Sequence, residues 1–366
     1  VSTLNKYRFL FAGGGTGGHL FPAIAVAEQI KLLKPEAEII FVGTKGKIEA
    51  TVVPAHGYGF KPIWIKGFSR KSLSENILLP FRLLVSLAQS IGISMGFKPK
   101  VAIGSGGYVS GPAIWGASVM GAKILLMEQN SYPGVTTRIL EKYAREIYIS
   151  FADSEKYFKN KSKLKTVGNP VRESLKSGDR TAALKTFGLD PNKKTVLVLG
   201  GSLGAKMVNK TIAENLDYFK KNNIQLIWQT GKYYISQYEN LSSAGIWISA
   251  FIDNMNDAYS ACDMVVSRSG ATTLAELTIL GKASVLIPSP NVAENHQYYN
   301  AKSLADANGA VLIEEKNLDA EFAKTIDELV NDDKKLEEIK NNCKNLARTD
   351  AAKVIAQNAI KLAEEL

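Results

Sequence analysis

Aspartate is missing from the first 150 residues of this 366-residue chain. With 8 Glu against 17 Lys and Arg there, that stretch carries a net charge of +9 out of +10 for the whole chain. An excess of one sign confined to one half predicts an anionic partner for that half, and nucleic acid and an anionic membrane surface both meet the charge criterion. Cysteine is nearly absent: Cys262 and Cys343 stand alone. Two cysteines exclude a disulfide framework and a cysteine-based zinc site, and fit a reducing cytoplasm. Histidine occurs only at positions 19, 56 and 296. Tyr7–Ala12 is too short an apolar run for a signal peptide and leads straight into glycines, so none is expected from it. Low-complexity tracts and long linkers are absent, and 45% hydrophobic with 22% charged residues is a globular balance. The length predicts about two domains.

What is abundant is glycine placed at the ends of apolar strands. Residues 7–12 read as a buried strand followed by Gly13-Gly14-Gly15-Thr16-Gly17-Gly18-His19 and a helix with Pro22 in its first turn. Glycines there let a backbone approach an anion closely, and the helix start favours negative charge. Gly13, Gly15 and Gly18 satisfy G-x-G-x-x-G, but the second strand, Glu38–Val42, ends in Gly43-Thr44-Lys45 and lacks the acid that would hold an adenosine ribose. A dinucleotide oxidoreductase is therefore disfavoured. His19 follows the loop directly. A helix N-terminus disfavours imidazolium, so His19 is either a neutral proton acceptor or a simple capping residue.

The same pattern recurs. Strand 101–103 feeds Gly104-Ser105-Gly106-Gly107-Tyr108-Val109-Ser110-Gly111-Pro112, read as a second anion site, and strand 124–127 delivers Glu128-Gln129-Asn130. Strand 146–150 closes the first domain, and Gly168-Asn169-Pro170-Val171-Arg172 is the linker, with Arg172 able to reach an interdomain cleft. Strand 195–199 then leads into Gly200-Gly201-Ser202-Leu203-Gly204-Ala205, which restarts the arrangement. Two doubly wound α/β domains follow from that repetition. Further strands are read at 225–231, 245–249 and 283–287, with Phe251–Met255 as a loop near the strand ends and 288–297 as a ligand-facing loop. Val265–Glu276 is another strand, turn and helix start, equally readable as a phosphate site with Glu276 accepting from sugar hydroxyls or as a routine turn.

One stretch is basic and apolar together: Tyr58, Phe60, Lys61, Trp64, Lys66, Phe68, Arg70 and Lys71, then Ile77–Ala88. Pro80, Arg82 and Gln89 argue against a spanning helix. Attachment to a membrane face and burial within an α/β domain both account for it. A nucleic-acid binder would leave the glycine loops without a purpose, since nothing resembles a reading module. A group-transfer enzyme with two Rossmann-like domains facing across a cleft uses every junction.

Taken in order, Gly13–His19 with Pro22-Ala23, Gly104–Pro112, Glu128-Gln129-Asn130, Gly168–Arg172, Gly200–Ala205, Arg268-Ser269-Gly270-Ala271 and Gln297-Tyr298-Tyr299-Asn300-Ala301 resemble the MurG family across nearly the whole chain. These bacterial transferases place N-acetylglucosamine (GlcNAc) on undecaprenyl-diphosphate-MurNAc-pentapeptide, called lipid I. The resemblance implies a GT-B fold and an inverting reaction without metal or cofactor. It also implies a peripheral site on the cytoplasmic face of the cell membrane and no nucleic-acid partner. The acceptor domain would span 1–167 and the UDP-GlcNAc domain 168–349, with a tail helix at 350–366 returning to the first. His19 is the expected base. Gly14, Gly15, Gly106, Gly107, Tyr108, Glu128 and Asn130 are expected at the acceptor. Thr16, Gly17, Gly18, Asn130 and Arg172 would face the donor, Ser202 and Arg268 its diphosphate, and Ala271, Thr272, Thr273, Leu274 and Ala275 the helix start beneath it. Ile252 would present its backbone to the uracil, Glu276 would hold the ribose, and Gln297 would bind the sugar hydroxyls. The loop 291–296 is less basic than in many family members. Another GT-B enzyme with a lipid acceptor such as diacylglycerol shares the donor motif, but the two N-terminal glycine loops and Glu128-Gln129-Asn130 favour the MurG family.

Overall fold

The computed structural model describes residues 7–68, 76–176, 178–201, 203–292 and 295–365. Arg70, Lys71, Ser202, Ala293 and Glu294 lie outside the described residues. The chain divides into two compact units, one formed by residues 1–172 and 349–366 and the other by 173–348.

Seven parallel strands build the first unit: β1 (Arg8–Ala12), β2 (Glu38–Gly43), β3 (Gly59–Pro62), β4 (Val101–Gly104), β5 (Lys123–Glu128), β6 (Ala144–Ile149) and β7 (Leu164–Thr166). Their order is β3-β2-β1-β4-β5-β6-β7. The strand read at 146–150 does not end the sheet, because β7 pairs beyond it with Ile147 opposite Leu164. β3 lies inside the basic aromatic stretch, where its alternating exposure disguises it. Buried strands such as β1, with Phe9, Leu10, Phe11 and Ala12 all hidden, are continuous apolar runs because helices cover both faces.

The second unit repeats the plan with β8 (Thr195–Leu199), β9 (Gln225–Gln229), β10 (Ile246–Ser249), β11 (Met264–Ser267), β12 (Ala283–Leu286) and β13 (Val311–Leu312), ordered β10-β9-β8-β11-β12-β13. In each sheet the winding reverses once, between β1 and β4 and between β8 and β11. At such a point the two neighbouring loops turn to opposite faces and leave a crevice beyond the carboxyl ends of the strands. The loops after these four strands are the glycine loops at 13–18, 104–107 and 200–205 and the turn at 268–270.

Helix α1 (Gly17–Leu33) covers β1 and β2, and the tail helix Ala351–Glu364 packs on α1 in the same unit. The contact is made by small and branched side chains: Ala352, Ile355, Ala356, Ala359, Ile360 and Ala363 share a core with Ala23, Ile24, Ala27 and Ile30. Tyr7 donates to Glu364 Oε1 at 2.5 Å and Lys34 pairs with the same carboxylate at 3.4 Å, which fastens the edge of this contact.

Helix α2 (Glu49–Ala55) follows β2 and α3 (Leu79–Phe97) follows β3; α3 inverts the usual amphipathic plan. Only Ser86, Ser90 and Ser94 are buried along it, against α4 (Ser110–Val119). A side chain at Gly116 of α4 would lie 2.8 Å from Ser90 Cβ, so the two helices touch nearly backbone to backbone. Ser86 donates to the Leu83 carbonyl and Ser90 to the Ser86 carbonyl, so those hydroxyls are satisfied within the helix. The outward face carries Phe81, Leu83, Leu84 and Met95, all exposed, and continues through Leu78, Ile77 and Trp64. Trp64 sits edge-on to Phe81 at 6.0 Å and beneath the Arg82 guanidinium at 5.4 Å. Pro80 does not interrupt the helix, since it occupies the first turn, where its missing N–H costs nothing. Among the described residues α3 is the helix long and apolar enough to cross a membrane by length and composition.

Ile355 is fully buried at the centre of the tail contact. Ile355→Ala is expected to lower unfolding stability by about 2–5 kcal/mol in a urea titration. A loss below about 0.5 kcal/mol would show that the tail helix is not part of that cooperative core.

Candidate functional site

In the first unit, three loops converge on the α1 N-terminus. Thr16 is its N-cap, exposed and extended, with no side-chain capping bond, and the first turn holds no acid. Gly17 and Gly18 begin the helix, and His19 stands half-buried one residue further on. The His19 Nδ1 atom lies 3.0 Å from Gln129 Oε1 at the end of β5. Ser105, fully buried, donates to the His19 carbonyl at 2.8 Å.

The second glycine loop, read from sequence as an anion site, packs closely against the first loop and His19. A Cβ at Gly106 would fall 2.7 Å from His19 Nδ1, and one at Gly107 would fall 2.7 Å from the Gly14 carbonyl. Both residues also adopt left-handed φ values, +96° and +80°. These glycines make room for the imidazole and the first loop, a need that the sequence does not reveal. Tyr108 lies against Gly15 and accepts a hydrogen bond from Thr44 Oγ1 at 3.4 Å.

Glu49 has no counterpart in the sequence reading. Its carboxyl group is 1% exposed and accepts from Gly15 N–H and Thr44 N–H, each at 3.0 Å. It thereby ties the first loop to the end of β2. The signal that could have found it is an isolated Glu opening a short helix just after Gly43-Thr44, but such residues are commonplace. Glu128, 2% exposed, likewise spends its oxygens on its own chain: Oε1 accepts from Asn130 N–H and from the Asn130 amide, and Oε2 from Gly134 N–H at 2.9 Å. It shapes the loop that carries Asn130, which is itself half-buried. The Arg172 guanidinium stacks over the Phe21 ring of α1 at 4.4 Å.

In the second unit, the helix Ala271–Leu280 starts at Gly270, which has no side chain to cap it, and its first turn contains no acid. Ala271, Thr272 and Thr273 form that turn beyond the ends of β8 and β11. Leu274 points its side chain into the core, 2% exposed, and its N–H is already donated to the Gly270 carbonyl. Leu274 thus anchors the helix start to the core, with the half-buried Ala275 next to it. Glu276 is nearly buried and accepts from the Tyr259 hydroxyl at 2.8 Å, a contact not foreseen from sequence. Ile252 is 3% exposed and gives its N–H to Gln229 Oε1 at 2.9 Å, while its carbonyl accepts no hydrogen bond among the described residues. Gln297 accepts the Ser289 N–H through Oε1 at 2.9 Å, and its backbone carbonyl accepts from the buried Ser269 hydroxyl at 2.8 Å. Gly204 closes on β9, where a Cβ would lie 2.2 Å from the Thr230 carbonyl.

Arg268, expected at the donor diphosphate, is engaged by its own chain in this structure. Its guanidinium donates to the Ile287 and Pro288 carbonyls at 3.1 and 3.0 Å and pairs with Glu315. A guanidinium so engaged braces the loop after β12, and its charge is already matched. Cys262 and Cys343 are free and buried, and burial raises both thiol pKa values, that of Cys343 to about 12. Neither is a nucleophile at neutral pH. Among the described residues no three His, Cys, Asp or Glu side chains gather as a metal cluster.

Residues 9–149 match the glycosyltransferase family 28 N-terminal domain, and residues 195–358 match the glycosyltransferase family 28 C-terminal domain. A relative from Flavobacterium psychrophilum is 45% identical over 364 residues, 99% of each chain. One from Bacteroides thetaiotaomicron is 44% identical over 367 residues, 98% of each chain. Both bear the name UDP-N-acetylglucosamine–N-acetylmuramyl-(pentapeptide) pyrophosphoryl-undecaprenol N-acetylglucosamine transferase. Among solved structures, MurG of Acinetobacter baumannii superposes with a TM-score of 0.73 at 24% identity, covering 97% of this chain and 99% of that one, which shows a shared GT-B fold.

Glu49→Ala leaves the Gly15 and Thr44 N–H groups without their buried acceptor. It is expected to cost about 1–3 kcal/mol for each donor left unpaired, measured by chemical denaturation. A change within about 0.5 kcal/mol would mean that water replaces the carboxyl group without loss.

Proposed function

The chain belongs to glycosyltransferase family 28, and we infer that it transfers GlcNAc from UDP-GlcNAc to the MurNAc 4-hydroxyl of undecaprenyl-diphosphate-MurNAc-pentapeptide. The product is lipid II, a precursor of peptidoglycan. The observation that carries this reading is the likeness over 99% of both chains to a transferase whose name states that donor and acceptor. The diacylglycerol alternative has no such support.

The second unit supplies the donor site. UDP leaves with growing negative charge, which the uncapped start of the helix Ala271–Leu280 favours through its backbone N–H groups and dipole. Glu276, steadied by the Tyr259 hydroxyl, accepts from the ribose hydroxyls. With the Ile252 N–H taken by Gln229, the Ile252 carbonyl is the group left to accept the uracil N3–H. Gln297 keeps its amide NH2 for a sugar hydroxyl, because its oxygen is occupied by Ser289. Ser202 remains a proposed diphosphate contact by resemblance alone.

The first unit supplies the acceptor site. As the acceptor oxygen attacks the anomeric carbon from the face opposite UDP, the carbon–phosphate-oxygen bond breaks and its electron pair leaves with UDP. The acceptor proton passes to His19 Nε2, the ring atom opposite the Gln129 contact. The α-linked donor thereby becomes a β-linked product. Thr16, Gly17 and Gly18 at the start of α1, with Gly14, Gly15, Tyr108, Asn130 and Arg172 nearby, supply polar groups for the reacting diphosphates and sugars.

The outward face of α3 is the docking surface for the membrane that carries lipid I. A helix that buries serines and exposes Phe81, Leu84 and Met95 gains nothing from water on that side. The first half's charge of +9 adds attraction to anionic headgroups.

Purified protein with UDP-GlcNAc and a lipid I analogue is expected to release UDP, and none with diacylglycerol. His19→Ala should lower kcat by about 10²–10⁴-fold while UDP still binds, and Glu276→Ala should raise KM for UDP-GlcNAc at least about tenfold with KM for lipid I little changed. Near-normal turnover of the first variant, or an unchanged donor KM in the second, removes that residue from its role. Separately, Phe81→Asp with Leu84→Asp should abolish sedimentation with vesicles containing phosphatidylglycerol. Undiminished sedimentation would place the docking surface elsewhere.

A further inference from the structure

The residue next to the expected Glu128 and Asn130 is the one that touches the histidine. We propose that Gln129 is a positioning residue that fixes the tautomer of His19, holding the proton on Nδ1 so that Nε2 keeps its lone pair. The inference rests on the reading of His19 as base for its catalytic meaning, but not for its physical content.

A neutral imidazole carries one proton on either nitrogen, and the hydrogen bond made by one nitrogen decides the state of the other. An amide oxygen can only accept, so Gln129 Oε1 at 3.0 Å stabilises the ring with Nδ1–H directed at it. With the amide oxygen turned to the ring, the opposite tautomer would face it with a lone pair, so that tautomer requires the Gln129 amide to turn over and present its NH2. Gln129 is 3% exposed, so water does not readily replace it in that contact. The ring is also restrained on a second side by Gly106, whose absent Cβ leaves just enough room for Nδ1 and Cε1. His19 is anchored by its backbone as well, through the Ser105 hydroxyl bonded to its carbonyl. The imidazole therefore has a defined position and a defined neighbour at Nδ1.

The neighbouring carboxylates are occupied elsewhere. Glu128 is directed to Asn130 and Gly134 and Glu49 to Gly15 and Thr44, so a neutral amide and not a carboxylate faces the ring. That choice has a chemical consequence. A carboxylate at Nδ1 would favour the imidazolium before the reaction begins, whereas an amide orients the ring without strongly favouring its charged form. In the transfer step the acceptor O–H bond breaks, the proton joins Nε2, and the oxygen forms its bond to the anomeric carbon as UDP departs. The Nδ1–H bond to Gln129 is kept throughout, so no second proton moves.

The test uses the full chain with 15N-labelled histidine, at a pH of about 8.5 so that the rings are neutral. Three histidines give few enough signals to assign, with His19→Ala identifying the one that matters. The expected spectrum has His19 Nδ1 protonated and Nε2 unprotonated. In Gln129→Leu the Nε2–H tautomer should appear, and kcat should fall by about tenfold or more with KM for UDP-GlcNAc within about twofold. In Gln129→Glu, which keeps an oxygen acceptor, the Nδ1–H tautomer should persist and kcat should fall less than in Gln129→Leu. Thermal melts of both variants separate this from a loss of folding. A wild-type spectrum with Nε2–H, or an unchanged tautomer in Gln129→Leu, overturns the proposal. If the spectrum is as expected and His19→Ala still turns over normally, the tautomer assignment stands and the base reading falls.

Discussion

Both units depend on one constraint of parallel sheets. Every strand ends on the same edge, and where the winding reverses the loops after two neighbouring strands start side by side before turning to opposite faces, which crowds their first residues. Between β1 and β4 that crowding is resolved by removing side chains. Gly106 and Gly107 approach the His19 ring and the Gly14 carbonyl so closely that any Cβ would collide. The same economy brings Gly204 onto the Thr230 carbonyl beside β8. The crevices, the helix starts and the polar groups they present all follow from this packing.

A second theme is how few of the polar groups near the crevices are left uncommitted. Glu49, Glu128, Arg268 and the oxygen of Gln297 are each engaged with their own chain, and each holds a loop in place. Loops lined with glycine would otherwise sample many conformations, and a site for sugars and phosphates needs donors fixed in advance. The charged side chains supply that rigidity, while backbone N–H groups at the helix starts stay available. This division suits a reaction in which negative charge builds on a leaving UDP and a single proton changes hands.

The α3 helix shows the same logic applied to a surface. Its serines fit closely against α4 because they are small, and the bulky residues are left to face outward. Were the helix merely a buried core element, the pattern would be reversed. That outward face is the one proposed above to meet a bilayer.

Much of this was readable in the chain itself. Apolar runs ending in glycines announce parallel strands, and their repetition announces two units, because periodicity and glycine chemistry act locally. The ordered motifs carried the family for the same reason: each is a short stretch whose backbone requirements leave few alternatives. The edge strands β3, β7 and β13 were missed, since short or half-exposed strands lack a distinct pattern. What the linear order could not decide is which distant groups meet. Gln129 lies 110 positions from His19, and Glu49 lies 34 from Gly15, so no spacing rule connects them. The contacts of Gly106, Arg268 and Tyr259 likewise come from the tertiary fold. Residue type states which bonds a group is able to make, and only the packed sheet determines which of them it makes.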